Sequence, residues 1–165
     1  MLRITTPWDL FLHELHLIYD TEHKIGELLR ETSGKILDKD LSHVLREHGT
    51  ETAQQITKLD ECFQKLGERP QRMPCAAIDG IRQDYQTIAN QNPSPDVLDM
   101  AMLSTAIKIK HFEIGTYRGL VDRAMLMHEL EVAEILQSIL YGEDETAAKL
   151  ERISHEICQR SLATL

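Results

Sequence analysis

The stretch VAEILQSILYGEDETAAKL, residues 132–150, decides how this chain folds. Its apolar residues recur every three or four positions, which is the pattern of the core-facing stripe of an α-helix. The stripe runs through Ile139 and Leu150, and Glu143 interrupts it. A carboxylate among core residues lowers stability unless it is protonated, paired with a cation or bound to a metal ion. The stretch therefore predicts a long helix with a polar site on its buried face.

Three further stretches share this arrangement. They are LIYDTEHKI (17–25), REHGTETAQQI (46–56) and IKIKHFEIGTY (107–117), with Glu22, Glu51 and Glu113 on the apolar stripe. The first two glutamates are 29 positions apart, and Glu113 and Glu143 are 30 positions apart. Two helical hairpins would thus present their glutamates alike, as in carboxylate-bridged di-metal sites of four-helix bundles. In those sites two helices add a histidine three residues after the glutamate, whereas this chain has Gln54 and Thr146 there.

Length, charge and cysteine content narrow the class of protein. The chain has 165 residues, enough for a single domain with a substantial core, and its net charge is −9. Lysine and arginine are scattered and form no basic block, which argues against a nucleic-acid partner. Three cysteines without a CxxC pair indicate a reduced, cytoplasmic protein. We expect no membrane partner, because no apolar run has the length of a membrane span and residues 1–11 lack the apolar segment of a signal peptide.

Periodicity and helix-breaking residues divide the chain into five helices. They are predicted at about residues 6–32, 40–66, 75–89, 96–127 and 129–161, the third being short and weak. The connection between the second and fourth helices is long and holds the short helix, whereas the other two connections are short. The sequence therefore predicts one all-α domain over residues 1–165, a ferritin-like four-helix bundle with one long crossover containing a short extra helix.

Residues at the predicted helix ends support these bounds. Thr6 precedes Pro7, which is the arrangement of an N-cap followed by proline at the first helical position. Asp38 or Asp40 is expected to cap the second helix. Asp99, three residues after another aspartate, resembles a capping arrangement at the head of the fourth helix.

Short motifs spread along the chain resemble those of a known family. They are YDTEHK (19–24), HGTET (48–52) followed by QI (55–56), MPCAAIDGI (73–81), HFEI (111–114) with Tyr117, and Glu143. In this order, and over nearly the whole chain, they resemble the bacterial YciE/YciF family of ferritin-like, four-helix-bundle proteins. The resemblance implies a ferritin-like fold and a metal-binding, di-iron-type protein associated with bacterial stress.

The glutamate stripes and the resemblance together predict a metal site. Its expected ligands are Glu22, Glu51, Glu113, Glu143 and His48. His48 lies three residues before Glu51, so the histidine would bind the metal or orient a carboxylate. A histidine hydrogen-bonded at the bundle edge is equally consistent with the sequence. Carboxylate ligands suit iron or manganese, so we expect a di-iron centre or bound manganese.

Lys110 departs from the family pattern, because a glutamate is common in the family at that position. Its ammonium would either pair with Glu113 or Glu22 and replace a metal ion, or extend to the surface while its stem stays buried. Acidic residues that are frequent in the family are also missing at Gly142 and Ala147. A site reduced in this way would hold one metal ion or none.

Other polar residues lie near the predicted ligands in sequence. Gln55 follows Glu51 by four residues and is expected to hydrogen-bond to it. Tyr19 and Tyr117 would donate to carboxylates or serve as core aromatics, and we favour the second interpretation. His111 is expected to point away from the site. The remaining histidines are expected at the surface: His13, His16, His23, His43, His128 and His155.

Two functions are consistent with these patterns. The preferred one is a carboxylate-bridged metal-binding protein that oxidises ferrous iron or scavenges peroxide, with metal ions and a second copy of the chain as partners. The alternative is a metal-free helical bundle acting in self-association or partner binding, favoured by Lys110 and by the missing acidic residues. A homodimer is expected under either interpretation. No catalytic residue is assigned, since serine, cysteine and histidine form no hydrolase pattern.

Overall fold

The structure is a computed structural model that describes residues 4–162, with side chains to residue 160. It contains five α-helices: α1 Pro7–Thr32, α2 Lys39–Leu66, α3 Ala76–Ala89, α4 Pro95–Leu126 and α5 Leu130–Leu162. Each end lies within one residue of the position predicted from the sequence. Residues 4–162 contain no strand, so the predicted all-α class is confirmed. Within the same range, every helix is too short or too polar to cross a membrane.

The ends of α1 and α2 follow the predicted capping chemistry. Thr6 Oγ1 accepts a hydrogen bond from Asp9 N at 3.1 Å, and Asp9 Oδ2 accepts one from Thr6 N at 2.9 Å. Asp38 caps α2 by accepting from Leu41 N at 2.9 Å. Gly67 ends α2 with a φ of 70°, a left-handed conformation that favours glycine. These local interactions explain why the sequence predicts the helix bounds so closely.

The predicted cap at the head of α4 is wrong. This helix begins at Pro95 after Ser94, whose side chain makes no capping hydrogen bond. Asp99 is instead buried and accepts hydrogen bonds from the backbone N–H of Leu37 at 3.1 Å and of Asp38 at 2.7 Å. The loop between α1 and α2 carries backbone donors that no helix satisfies, and the carboxylate supplies the acceptors they need. Asp99 therefore joins the start of α4 to the start of α2.

Contacts between helices show how the four long helices pack. Lys65 lies 3.0 Å from Glu131, and Lys149 lies 3.4 Å from Glu47, so α2 and α5 are antiparallel. Contacts between α1 and α4 run in the same antiparallel sense. Because α1 is antiparallel to both α2 and α4, these two helices are parallel to each other. The link over residues 67–94 therefore returns along the bundle, with α3 packed on α4, and forms the single crossover of a ferritin-like bundle.

The core consists of two apolar clusters at opposite ends of the bundle. The first includes Phe11, Leu15, Phe63, Leu120 and Leu136, and the second includes Ile25, Leu41, Met102, Ile109 and Leu150. Burial of these side chains is the main source of stability. Between the two clusters, at mid-length, the core-facing positions are polar. The fold thus places a polar layer in the centre of the bundle, shielded from water by apolar residues on both sides.

Candidate metal centre in the bundle core

Three glutamates from three helices meet in the polar layer. Glu22 of α1, Glu113 of α4 and Glu143 of α5 are each 0% exposed. One carboxylate oxygen of each lies within 4.8 Å of those of the other two. All three occupy the core-facing stripe of their helices, where the periodicity predicts them. Carboxylates at this separation repel one another in a buried site, so the cluster needs positive charge or protons.

Lys110 supplies positive charge to the cluster. Its side chain is fully buried, and its Nζ lies 2.9 Å from Glu113 Oε2 and 2.5 Å from Glu143 Oε2. It therefore does not extend to the surface. Burial by itself lowers the pKa of Lys110, but the charges of the three glutamates outweigh this effect and raise the pKa above its ordinary value. Lys110 is thus a cation at neutral pH.

Two further side chains donate hydrogen bonds to the cluster. Tyr117 Oη donates to Glu22 Oε1 at 2.6 Å, so Tyr117 is more than a core aromatic. Burial, and next the charge of Glu22, raise the pKa of Tyr117 well above its ordinary value, which keeps the phenol protonated. Gln55 Nε2 donates to Glu143 Oε1. The predicted hydrogen bond from Gln55 to Glu51 is wrong, because Glu143 is fully buried on the facing helix and takes this donor.

Glu51 lies outside the cluster. It is half-buried, and its Oε2 accepts a hydrogen bond from Thr146 Oγ1 of α5 at 2.8 Å. The buried residues of α2 step by three and four through Leu45, His48, Thr52, Gln55 and Leu59. Glu51 is one position off this stripe, so α2 presents Gln55 to the three glutamates instead. Metal binding by Glu51 stays a prediction.

His48 is buried on α2 near Lys110. Its side chain is 0% exposed, and neither ring nitrogen has a hydrogen-bond partner among the described residues. Burial, and next the charge of Lys110, lower the pKa of His48 well below its ordinary value, so the imidazole is neutral. A neutral imidazole can bind a metal ion. Its nitrogens are not part of the three-glutamate cluster, and ligation by His48 stays a prediction.

Burial also weakens the acidity of two of the glutamates. Burial, and next the charge of Glu143, raise the pKa of Glu22 to about 8, while Lys110 acts in the opposite direction. The same two causes raise the pKa of Glu113 well above its ordinary value. Without a metal ion, the raised pKa values therefore favour the protonated form of Glu22 and of Glu113. Oε1 of Glu113 and Oε2 of Glu22 have no hydrogen-bond partner among residues 4–160, and Oε2 of Glu113 has only its contact with Lys110.

The prediction that six histidines lie at the surface is wrong for His16. This side chain is buried, stacks on Phe63 with ring centroids 4.8 Å apart, and accepts a hydrogen bond at Nδ1 from Gln71 N at 3.2 Å. The link after α2 folds back over α1 and covers it. His111 is exposed, as its spacing indicates. Tyr19 packs edge-on against Phe63 and does not donate to the three glutamates.

Comparison with known proteins identifies the family. The family described as "Domain of unknown function (DUF892)" matches residues 6–163. The chain belongs to this family. Protein YciF of Escherichia coli (strain K12) is 26% identical over 150 residues, which cover 90% of each chain. These matches confirm the resemblance that the sequence motifs indicate.

Solved structures of relatives share the fold of this DUF892 protein. YciF, described as an E. coli stress protein, gives a TM-score of 0.89 at 25% identity, over 94% of this chain and 99% of that chain. YcfI of Rhodopseudomonas palustris, described as "a putative structural protein", gives 0.86 at 34% identity, over 90% of this chain and 94% of that chain. The ferritin-like bundle is therefore the fold of the relatives as well.

Proposed function

We propose that the buried centre binds one divalent metal ion, iron or manganese, through Glu22, Glu113 and Glu143. One observation carries this proposal. One oxygen of each of the three carboxylates lies within 4.8 Å of the others, and Glu22 Oε2 and Glu113 Oε1 have neither a hydrogen-bond partner nor an ion-pair partner among the described residues. Buried acceptors without donors are rare in folded proteins, so a group that binds them is expected. Carboxylate oxygens from several helices of a bundle are the ligands of iron and manganese centres.

The charges favour one metal ion over two. Three ionised glutamates carry −3 and Lys110 carries +1, which leaves −2, the charge that one divalent ion compensates. A second ion would lie beside the ammonium group, which repels it. In addition, Lys110 contacts both Glu113 and Glu143, while Glu51 faces Thr146. The residues as arranged therefore do not fit a di-iron centre, and they do fit a centre with one ion.

The side chains around the cluster prepare it for a cation. Tyr117 donates a hydrogen bond to one oxygen of Glu22, and Lys110 donates one to an oxygen of Glu143. Glu113 Oε1 has no hydrogen-bond partner among the described residues, and Glu113 Oε2 contacts Lys110. Uptake of the ion displaces protons from the glutamates, because carboxylate ligands bind metals in the ionised form. Bound iron would supply one-electron chemistry with oxygen or peroxide, and the apolar clusters on both sides would keep bulk water away from it.

A structural role without metal is the second candidate. The observation that favours it is the pairing of Lys110 with Glu113 and Glu143, since this cation compensates part of the negative charge of the layer without a metal ion. Buried polar groups can specify how helices align, in some systems at a cost in stability. YcfI, a relative, is described in structural terms, in agreement with this role. The protein would then act through self-association or partner binding.

The same proposal includes the setting of the protein. A cytoplasmic location is supported by Cys62 and Cys75, which are buried and form no disulfide. A role in bacterial stress is supported by the description of YciF as a stress protein. We also propose a homodimer, which sedimentation velocity at several protein concentrations tests. A sedimentation coefficient that stays at the monomer value across the series would contradict it.

Metal loading tests the proposed centre. The protein is loaded anaerobically with iron(II) or manganese(II), desalted and analysed for metal, and we expect about one ion per chain from the excess charge of the cluster. Glu113→Gln keeps the side-chain shape but removes a ligand charge, so the ion should be lost. Glu47→Gln changes a half-buried glutamate of α2 that pairs with a lysine of α5, and metal content should not change.

The other outcomes of this experiment are equally informative. Two ions per chain would restore the di-iron hypothesis and overturn the proposed charge balance. No ion, in a protein that shows a cooperative unfolding transition, would leave the structural role as the function. Circular dichroism of both variants checks that any loss of metal is not a loss of fold.

A further inference from the structure

A groove between α1 and α2 combines an apolar floor with two arginines. Its volume is about 460 Å³, which lies in the range of small-molecule sites. Its buried apolar residues are Leu29, Ile36 and Leu45, and the exposed residues Arg30 and Arg46 also line it. A ligand in this groove would meet apolar surface and positive charge together.

Arg30 and Arg46 lack the ion pairs that five of the nine arginines at residues 4–160 form. Neither forms an ion pair within the part of the chain that the structure describes. Five other arginines do: Arg72, Arg82, Arg118, Arg123 and Arg160. Acidic residues close to the two in sequence are paired elsewhere, since Glu27 contacts Arg72 at 3.1 Å and Glu47 contacts a lysine of α5 at 3.4 Å. The groove thus carries uncompensated positive charge in a protein with a net charge of −9.

We propose that this groove, which we name the arginine groove, binds the anion of a long-chain carboxylic acid. Guanidinium groups bind carboxylates through charge-assisted hydrogen bonds, often two at a time. The carboxylate would lie between Arg30 and Arg46, and the alkyl chain would lie on the apolar floor, where burial removes it from water. A groove of this volume holds a single chain and not a bilayer surface, so the ligand is a free molecule.

A second copy of the protein fits the arginine groove less well. Most homodimers have twofold symmetry, in which the same patch of both copies meets. Centred on this groove, such an interface would bring Arg30 and Arg46 of one copy close to the same residues of the other. Like charges brought together in an interface disfavour association. Charge complementarity therefore favours a small anion.

Binding of dodecanoate, followed by isothermal titration below its micelle concentration, tests this inference. We expect saturable binding of one dodecanoate per chain. Acetate has the charge without the chain, and dodecyl maltoside has the chain without the charge. Both should bind at least tenfold more weakly than dodecanoate, because each lacks one of the two contributions. The experiment needs no metal, so its result is independent of the metal centre.

Matched variants assign the binding to the groove. The double variant Arg30→Gln, Arg46→Gln should weaken dodecanoate binding at least tenfold. The control is Arg69→Gln, Arg152→Gln, which removes the same charge from two arginines that do not line the groove, and it should bind normally. Gly49→Leu tests separately whether dodecanoate needs the open space of the groove. A Cβ atom at Gly49 meets nothing within 4 Å, and leucine is the better helix former, so this variant should fold and block the groove.

Three results would overturn the inference. The first is the absence of saturable dodecanoate binding. The second is equal weakening of dodecanoate binding by the arginine double variant and by its control. The third is a dimer that dissociates in the arginine double variant, which would assign the groove to a second copy of the chain.

Discussion

Asp20 and Glu22 lie two positions apart on α1, and their carboxyl groups have opposite electrostatic surroundings. Two positions correspond to about 200° around an α-helix, so the two side chains face different regions. Asp20 Oδ2 lies 2.8 Å from Lys24 Nζ, and Asp20 Oδ1 lies 2.9 Å from Arg72 Nε. Burial alone raises the pKa of Asp20, but these two cations outweigh it and hold the pKa below its ordinary value. Glu22 faces the core, where burial raises its pKa to about 8.

The comparison shows that access to water, and not the type of residue, decides what an ion pair contributes. Arg72 is 43% exposed and contacts Glu27, which is 35% exposed, and Asp20, which is 6% exposed, so water reaches both ion pairs at the guanidinium group. Exposed pairs of this kind contribute about 0–1 kcal/mol, since water and salt screen them. Lys110 and its glutamates are 0% exposed. Removing one member of a buried pair costs about 3–5 kcal/mol, because the other charge is left without a partner.

Lys110→Met should therefore produce the largest loss of stability. Methionine keeps most of the side-chain volume but removes the ammonium group, which leaves Glu113 and Glu143 without their cation. In urea denaturation with a chelator present, we expect the free energy of unfolding to fall by about 3–5 kcal/mol. The double variant Lys110→Met, Glu143→Leu removes both charges and should recover most of this loss. A single variant as stable as the wild type would show that the ion pair does not hold the core together.

Glu22 and Asp20 should contribute to the pH dependence of stability with opposite sign, because the pKa of Glu22 is raised and that of Asp20 is lowered. The folded-state pKa of Glu22, about 8, exceeds its ordinary value of 4.5, so between these values the folded, metal-free protein holds a proton that the unfolded chain has released. The stabilisation is complete below about pH 4.5 and is lost as the pH rises to about 8. The expected slope is about −1.4 kcal/mol per pH unit for one proton. Glu22→Gln should make the slope shallower by about this one-proton contribution in denaturation curves measured across this range, while Glu113, whose pKa is also raised, keeps its own contribution.

Asp20→Asn is the matched control for that series. The lowered pKa of Asp20 gives stabilisation that is present above its ordinary value of 3.8 and is lost as the pH falls through the folded-state pKa. The control should therefore change the acid end of the profile and leave the slope at neutral pH unchanged. Equal slopes in the wild type and in Glu22→Gln would contradict a raised pKa for Glu22.

The helix bounds could be predicted because they depend on capping residues and on apolar spacing within each helix. Thr6 and Gly67 act on residues a few positions away, so the sequence places the ends of α1 and α2 closely. Three of the glutamates could be predicted because each interrupts an apolar stripe. Glu51 does not lie on the buried stripe of α2; the next residue, Thr52, does. The spacing of four and three residues from His48 to Thr52 and Gln55 is the pattern that predicts Gln55, and not Glu51, at the core-facing position.

The remaining site contacts depend on residues far apart in the sequence. Lys110 reaches Glu143 on another helix, and the sequence alone left pairing and surface exposure equally open. Asp99 takes its partners from a loop 61 and 62 positions away. Helical periodicity shows which face a residue occupies, but it does not show which residue lies opposite. Cross-helix partners therefore require the packed structure.

The affinity of the centre for a divalent metal ion should rise with pH. Binding displaces protons from Glu22 and Glu113, so each displaced proton contributes about a tenfold gain in affinity per pH unit below its pKa. Competition with a calibrated chelator between about pH 6 and pH 8 measures this gain. Glu22→Gln should bind more weakly and show a shallower dependence. An affinity that does not change over this range would mean that the ion binds elsewhere, or that no proton leaves the cluster.

Arg72→Gln should have the smallest effect on the free energy of unfolding. It tests where the exposed ion pairs around Asp20 give way to the buried cluster around Glu22. We expect a loss of about 0.5 kcal/mol at low ionic strength, which disappears in about 1 M salt because salt screens exposed charges. The loss from Lys110→Met should persist in salt. Asp20 makes this test sensitive, since its side chain is only 6% exposed although its partner is 43% exposed. If Arg72→Gln cost several kcal/mol, Lys24 alone would not compensate Asp20, and the buried region would begin at Asp20 rather than at Glu22.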